Sequence, residues 1–289
     1  MARHCNLKPK DILKQAQEGK YALGSFNFST AEVLRAIIES AQAAKSPVIV
    51  STSEGEADFF GLRQAAALVE SWRLQTGLPI ILNLDHGKSL DKIKQAVEAG
   101  YSAIHFDGSK YDYEENIAKT KEAVDFVKSV NQDIIVEGEL GYLRGSSSLH
   151  EEILEIKEED LTKPDQAADF VQRTGIDSLA MVIGNAHGVY TQSPEKLRLN
   201  RLGEIKAAVG GQVFLVLHGG SGVPPEDVRG AVELGIVKVN VNTDMRLAWR
   251  QGLEKSLQES QDATPYKLLQ RSYEAVREVV KNKISTFKT

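Results

Sequence analysis

Short apolar or β-branched runs recur along the chain at 22–26, 47–51, 79–84, 103–106, 134–136, 179–183, 213–217 and 236–239. Between them, apolar residues fall at helical spacing over 31–43, 62–76, 90–99, 114–129, 166–174, 195–209 and 225–234. The runs are nearly continuous in their hydrophobicity, as parallel strands covered on both faces are. Eight strands alternating with helices predict one (β/α)8 barrel spanning residues 1–289. An open doubly wound sheet is the rival arrangement. Its glycine-rich first turn is missing, because the first run continues as Phe26-Asn-Phe-Ser-Thr30. End signals sharpen the helices: Ser29 with Glu32 reads as a capping box, Gly77, Gly100 and Gly235 as stops, and Pro224-Pro225 as a start. One interval breaks the rhythm. Residues 141–163, holding Arg144-Gly-Ser-Ser-Ser-Leu-His-Glu-Glu-Ile153, are polar and long enough to form a mobile lid.

Composition narrows the partners. The net charge of -5 comes from interspersed acidic and basic residues, with no basic block to neutralise a phosphate backbone, so nucleic acid is not expected. No apolar run approaches the ~20 residues needed to span a bilayer, and the first residues lack the apolar core of a secretion signal, which predicts a cytoplasmic protein. Cys5 is the only cysteine, which leaves no intrachain disulfide and no thiolate metal cage.

Chemistry in such a barrel is assembled from polar residues at the carboxyl ends of its strands. Here successive runs end in Asn27, in Ser53 and Glu54, in Asp85-His86, in Asp107, in Glu137 and Glu139, in Asn185 and His187, in His218, and in Asn240 and Asn242. Three of the six histidines follow different strands and each precedes glycine: His86, His187 and His218. Three neutral imidazoles with one open position make a catalytic zinc shell. Asp85 precedes a presumed ligand; its carboxylate can act as general acid or base, or can orient an imidazole. His105 lies within a strand and is expected in the barrel interior or supporting the site, whereas His4 and His150 read as surface or loop residues. His218-Gly-Gly-Ser-Gly222 and Asn240-Val-Asn-Thr243 each join a strand to a helix, where backbone N–H groups bind anions and such barrels hold phosphate. Lys238 tests a rival chemistry, since a lysine inside an apolar strand can form a Schiff base with a carbonyl substrate.

Together these residues resemble the class II fructose-bisphosphate and tagatose-bisphosphate aldolases over nearly the whole chain. The likeness rests on Leu23-Gly-Ser-Phe-Asn27, Asn83-Leu-Asp-His-Gly87, Phe106-Asp-Gly-Ser109, Val136-Glu-Gly-Glu-Leu-Gly141, Gly184-Asn-Ala-His-Gly188, Leu217-His-Gly-Gly-Ser-Gly-Val223 and Val237-Lys-Val-Asn-Val-Asn-Thr-Asp244. The resemblance implies zinc on His86, His187 and His218, alternative metal positions at Asp107 and Glu139, and Asp85 as proton donor and acceptor. It also implies that Gly188, Gly219, Gly220, Ser221, Asn240, Val241, Asn242 and Thr243 hold dihydroxyacetone phosphate, with Asn27 and Ser53 on the substrate side. The expected reaction is reversible cleavage of fructose 1,6-bisphosphate to dihydroxyacetone phosphate and glyceraldehyde 3-phosphate, in a homo-oligomer, dimer or tetramer. Tagatose 1,6-bisphosphate as substrate, or a non-catalytic sugar-phosphate binding protein, are the alternatives. A metal-dependent hydrolase would carry an H-x-H pair after the first strand, and none is there. Two departures stand out. The family's acidic loop after the fifth strand is replaced by the Ser-rich stretch ending in Glu151 and Glu152, which predicts that one of these serves as the loop base, unless both simply open the next helix. His105 also occupies a position that is usually apolar.

Overall fold

The computed structural model describes residues 8–192 and 196–288, so that His4, Cys5 and Glu195 lie outside the described residues. The strands are β1 (Leu23–Asn27), β2 (Val48–Ser53), β3 (Ile80–Gly87), β4 (Ala103–Phe106), β5 (Ile135–Leu140), β6 (Gly145–His150), β7 (Ser178–Met181), β8 (His187–Tyr190), β9 (Phe214–Leu217) and β10 (Ile236–Val241). The helices are α1 (Pro9–Glu18), α2 (Ala31–Ala43), α3 (Glu54–Phe60), α4 (Leu62–Thr76), α5 (Leu90–Ala99), α6 (Tyr113–Val130), α7 (Pro164–Thr174), α8 (Leu199–Val209), α9 (Pro225–Glu233), α10 (Thr243–Glu259), α11 (Pro265–Leu268) and α12 (Gln270–Phe287). Eight parallel strands close in the order β1-β10-β9-β7-β5-β4-β3-β2, the (β/α)8 barrel that the alternation predicts.

Closure decides which alternate residue of each strand faces inward. Leu23, Ile49, Ile81, Ala103, Ile135 and Val237 form an apolar layer at the base, plugged from below by Ile12, Leu13 and Ala16 of α1. Two residues further along each strand the interior turns polar: Ser25 Oγ meets Ser51 Oγ at 2.8 Å, and Asn83 donates to Ser51 at 3.1 Å. Two more residues along, Asn27, Ser53, Asp85, Asp107 and Glu139 line the barrel mouth. The opposite strand faces pack against the helices, with Phe26, Val50, Leu82, Ile104, Val136, Leu179 and Leu217 in the larger apolar core.

The end signals hold at most helices. Gly77 and Gly100 cap α4 and α5 in the left-handed conformation, Pro225 opens α9, and Gly235 follows its C-terminus with φ of 111°. The capping box at Ser29 and Glu32 does not form. Thr30 is the N-cap of α2 without a side-chain bond, and Glu32 accepts from Trp249 of α10 instead. A capping box does form at Ser53 and Glu56, opening α3. The stretch 141–163 contains β6, which pairs in parallel with β8, and a 3-10 turn at Glu158–Asp160. Its base is clamped where Arg144 meets both oxygens of Asp160, at 2.6 and 2.8 Å. Glu151 and Glu152 do not open the next helix, which starts at Pro164.

Candidate active site

A cavity of about 450 Å³ opens at the carboxyl ends of the barrel strands. On its floor, His86 Nε2 and His218 Nδ1 face each other at 3.1 Å. The ring of His187 lies 4.9 Å from that of His86 and 6.4 Å from that of His218, so the three histidines of three separate strand ends do converge. His86 Nδ1 turns to Asp107 Oδ2 at 3.0 Å and to Glu139 Oε2 at 3.5 Å. His218 Nε2 meets Glu137 Oε1 at 2.8 Å, and the other oxygen of Glu137 accepts from the buried Lys238 ammonium at 2.7 Å. Lys238 thus points into the barrel but is committed to Glu137 below the cavity.

His86 has φ of +53°, a left-handed conformation that costs a residue with a Cβ of order 1–2 kcal/mol. The β3–β4 register shifts between Leu84 and Gly87, and the His86 amide leaves the ladder to donate to His105 Nδ1 at 3.1 Å. His105 is fully buried on the adjacent strand. Burial works against an imidazolium there, whereas the nearby carboxylates of Asp85 and Glu139 raise its pKa. The His86 amide acts the other way, because only a neutral Nδ1 has the lone pair to accept it. That amide decides the tautomer, since a backbone proton cannot rotate away from the ring.

Asp85 accepts from Asn27 Nδ2 and from Asn240 Nδ2, each at 3.0 Å. Burial would push its carboxyl up, but the charge of His86 leads the effects that hold it well below the usual carboxylate range. Asp107 is likewise depressed, with burial outweighed by its bond to His86. Burial takes His187 down to about 3 and lowers His218 as well, whereas the carboxylates of Asp85 and Asp107 overcome burial and raise His86. Neutral His187 and His218 are in the form that donates a lone pair to a metal.

Among the described residues, two groups bring their donor atoms within 4.8 Å of one another: Asp85, His86, His105 and His218, and His86, Asp107 and Glu139. His187 belongs to neither group, although its ring borders that of His86. Glu139 Oε2 is buried and makes no hydrogen bond, which leaves lone pairs for a cation. Nitrogen and carboxylate donors without sulfur suit zinc or a similar divalent ion.

The wall opposite is built from turns. Gly219 has φ of +65°, and a Cβ there would lie 1.9 Å from the Ala186 carbonyl, so only glycine fits. Gly220 donates to the Asn240 carbonyl at 2.8 Å, and Ser221 Oγ accepts from the Asp244 amide at 3.2 Å, tying this loop to the N-terminus of α10. Asn242, the N-cap of α10, makes no capping bond to its own first turn. Strand β6 lies directly over Gly188, where a Cβ would meet His150 and the carbonyls of Ser146 and Ser148 at 2.6 to 2.8 Å.

Of the residues singled out in the sequence, Asn27, Ser53, Asp85, His86, Asp107, Glu139, His187, Gly188, Gly219, Ser221, Asn240, Asn242 and Thr243 line the cavity. His218, Gly220 and Val241 are buried and are not among the lining residues. Glu151 and Glu152 do not line it; both are exposed beyond the end of β6, with Glu152 3.7 Å from His150 Nδ1. Glu56 and Arg246 were not singled out, yet Glu56 accepts from Asn27, from the Ser53 amide and from Arg246, and Arg246 lines the mouth. The Ser53-Glu-Gly-Glu56 spacing was a legible signal for the former. Lys283 of α12, which donates to the Gly220 carbonyl and pairs with Asp244, left no signal in the sequence.

A parallel barrel with a metal-competent histidine and carboxylate floor and an anion-ready wall defines the class of protein. A sequence model of class II fructose-bisphosphate aldolase matches residues 7–289, and the chain belongs to that family. Among solved structures, the YdjI aldolase from Escherichia coli K12 is 34% identical, with 96% of this chain and 95% of that chain covered at a TM-score of 0.81. A fructose-bisphosphate aldolase from Campylobacter jejuni shares the fold at 22% identity, with 97% and 95% covered and a TM-score of 0.78. No helix among the described residues is long and apolar enough to cross a membrane.

Proposed function

We propose that this chain is a zinc-dependent aldolase that cleaves fructose 1,6-bisphosphate reversibly to dihydroxyacetone phosphate and glyceraldehyde 3-phosphate. The observation that carries this reading is Asp85, its carboxyl group held between two asparagine amides in the same cavity as the histidine and carboxylate donors. His86, His187 and His218 would hold zinc, with Asp107 and Glu139 as alternative positions. Zinc, when bound, supplies Lewis acidity that polarises a ketone and stabilises the charge left when its neighbouring carbon loses a proton. Asp85 takes the proton of the C4 hydroxyl in cleavage and returns it in synthesis; its depressed pKa keeps it in the accepting form at neutral pH.

Gly188, Gly219, Gly220, Ser221, Asn240, Val241, Asn242 and Thr243 would hold the phosphate of dihydroxyacetone phosphate, supported by the N-terminus of α10 at the cavity wall, where Asn242 makes no side-chain capping bond. Asn27 and Ser53 would face the sugar hydroxyls. The segment 141–163 would act as a lid, and Glu151 or Glu152 would remove the proton from the nucleophilic carbon once the lid carries it inward from its exposed position. The exposed Phe59 and Tyr266 offer apolar surface that a homo-oligomer would bury. Triose phosphate release from fructose and tagatose 1,6-bisphosphates, assayed side by side with and without chelator, tests the reading. Release from neither sugar, or release indifferent to chelator, overturns it. Faster release from the tagatose isomer would reassign the substrate, since the two differ only in configuration at C4.

A further inference from the structure

Beyond the residues assigned so far, His105 occupies the centre of the site without facing the cavity, and its contacts are specific. We propose that His105 is a positioning residue that fixes the left-handed backbone of His86 and so aims the His86 ring at the barrel mouth. The inference rests on His86 as a metal ligand. A left-handed residue at the end of β3 turns its N–H out of the strand ladder, and the register break between Leu84 and Gly87 leaves that donor without a β4 carbonyl. His105 Nδ1 is the acceptor, at 3.1 Å, from a ring that is fully buried between those of His86 and His218, with centroids 4.6 and 4.7 Å away.

Because Nδ1 accepts, the ring proton sits on Nε2, which faces Glu139 Oε2 at 3.1 Å. Asp85 Oδ1 is 3.8 Å from Nδ1, beyond hydrogen-bond distance, so the amide of His86 is the partner of that nitrogen. The ring, with its Nδ1 accepting, therefore holds the backbone of one proposed ligand and faces the carboxylate of another. An apolar side chain in this place would strand a buried amide, and His86 would lose the bond that keeps its φ positive.

The test compares the parent with His105→Met and His105→Gln. Glutamine can accept from the His86 amide and donate to Glu139; methionine can do neither. Co2+ affinity, measured by chelator competition and by the visible spectrum of the bound ion, should weaken about 10- to 100-fold in the methionine variant, as for other residues that orient metal ligands. Glutamine should restore most of that loss, and kcat should follow affinity with little change in KM. A folded methionine variant that binds Co2+ with the parent's affinity and spectrum overturns the proposal. Should that variant not fold, 15N spectra of the histidine-labelled parent decide, with the His105 signals assigned by their absence from the glutamine variant. They should show Nδ1 unprotonated and Nε2 protonated, and a proton on Nδ1 overturns the tether. A parent chain that binds no Co2+ sinks the metal reading instead, and the tautomer then tests the tether alone.

Discussion

Asp85→Asn separates acid–base work from structural support, because the surroundings of Asp85 limit what the substitution can disturb. In the parent, Oδ2 accepts from Asn27 and Oδ1 from Asn240, each at 3.0 Å. An asparagine at 85 keeps one acceptor and gains a donor, so one of these two amides must lose its partner. Asn27 cannot turn, since its Nδ2 also donates to Glu56 at 2.9 Å. Asn240 is held more loosely, its second amide contact being 3.3 Å to His218 Nδ1, and after a flip its otherwise unpartnered Oδ1 accepts from the new amide. The stability cost therefore falls at the low end of the roughly 1–3 kcal/mol for a stranded buried donor. That amounts to about 2–4 °C in Tm for a chain of this size. The loss in kcat should be far larger, about 10²- to 10⁴-fold, the usual worth of a positioned acid or base. Triose phosphate release, zinc content by metal analysis and thermal melts on the same preparation give the three readouts. A variant that keeps near-parent kcat but loses zinc would make Asp85 a support of the metal site and refute the catalytic assignment.

Chelation should abolish turnover and Zn2+ or Co2+ should restore it, while borohydride added with substrate leaves activity intact; inactivation with a label on Lys238 would reinstate the Schiff base. Ser221→Ala should chiefly raise KM and soften α10 by about 0.5–2 kcal/mol, as loss of an N-terminal capping oxygen does, because Ser221 Oγ accepts from the Asp244 amide. Equal affinity for phosphorylated and dephosphorylated ligands in the parent would remove the phosphate site. Lys238→Met should destabilise the fold by about 3–5 kcal/mol, read from denaturant melts, since it leaves the Glu137 carboxylate buried without its cation. Glu151→Gln and Glu152→Gln, singly and together, should slow proton exchange between dihydroxyacetone phosphate and solvent; parent-like exchange in the double variant places the base elsewhere.

The barrel was legible because each strand is covered on both faces, so its apolar run stands out and turns polar where the strand reaches the mouth. Asp85-His86 and His218 could be picked out for that reason, since each closes a run, whereas His187 follows its run after Asn185 and opens β8. The same burial hid other features. With both faces apolar, the alternation that would mark the inward face is lost, and only closure of the barrel shows that 23, 25 and 27 face inward in step with 81, 83 and 85. Glu56 and Arg246 meet across 190 residues, and Lys283 reaches Gly220 across 63, so neither partnership leaves a local pattern. The pairing of β6 with β8 was illegible because Gly145-Ser-Ser-Ser148 lacks the hydrophobicity of a core strand and gains its partner only where the chain crosses Gly188. What the sequence determined was the kind of chemical group delivered to the barrel mouth. Which groups touch, and which nitrogen of His105 or His218 carries a proton, was decided by the tertiary structure, because hydrogen bonds depend on distances that only the closed barrel sets.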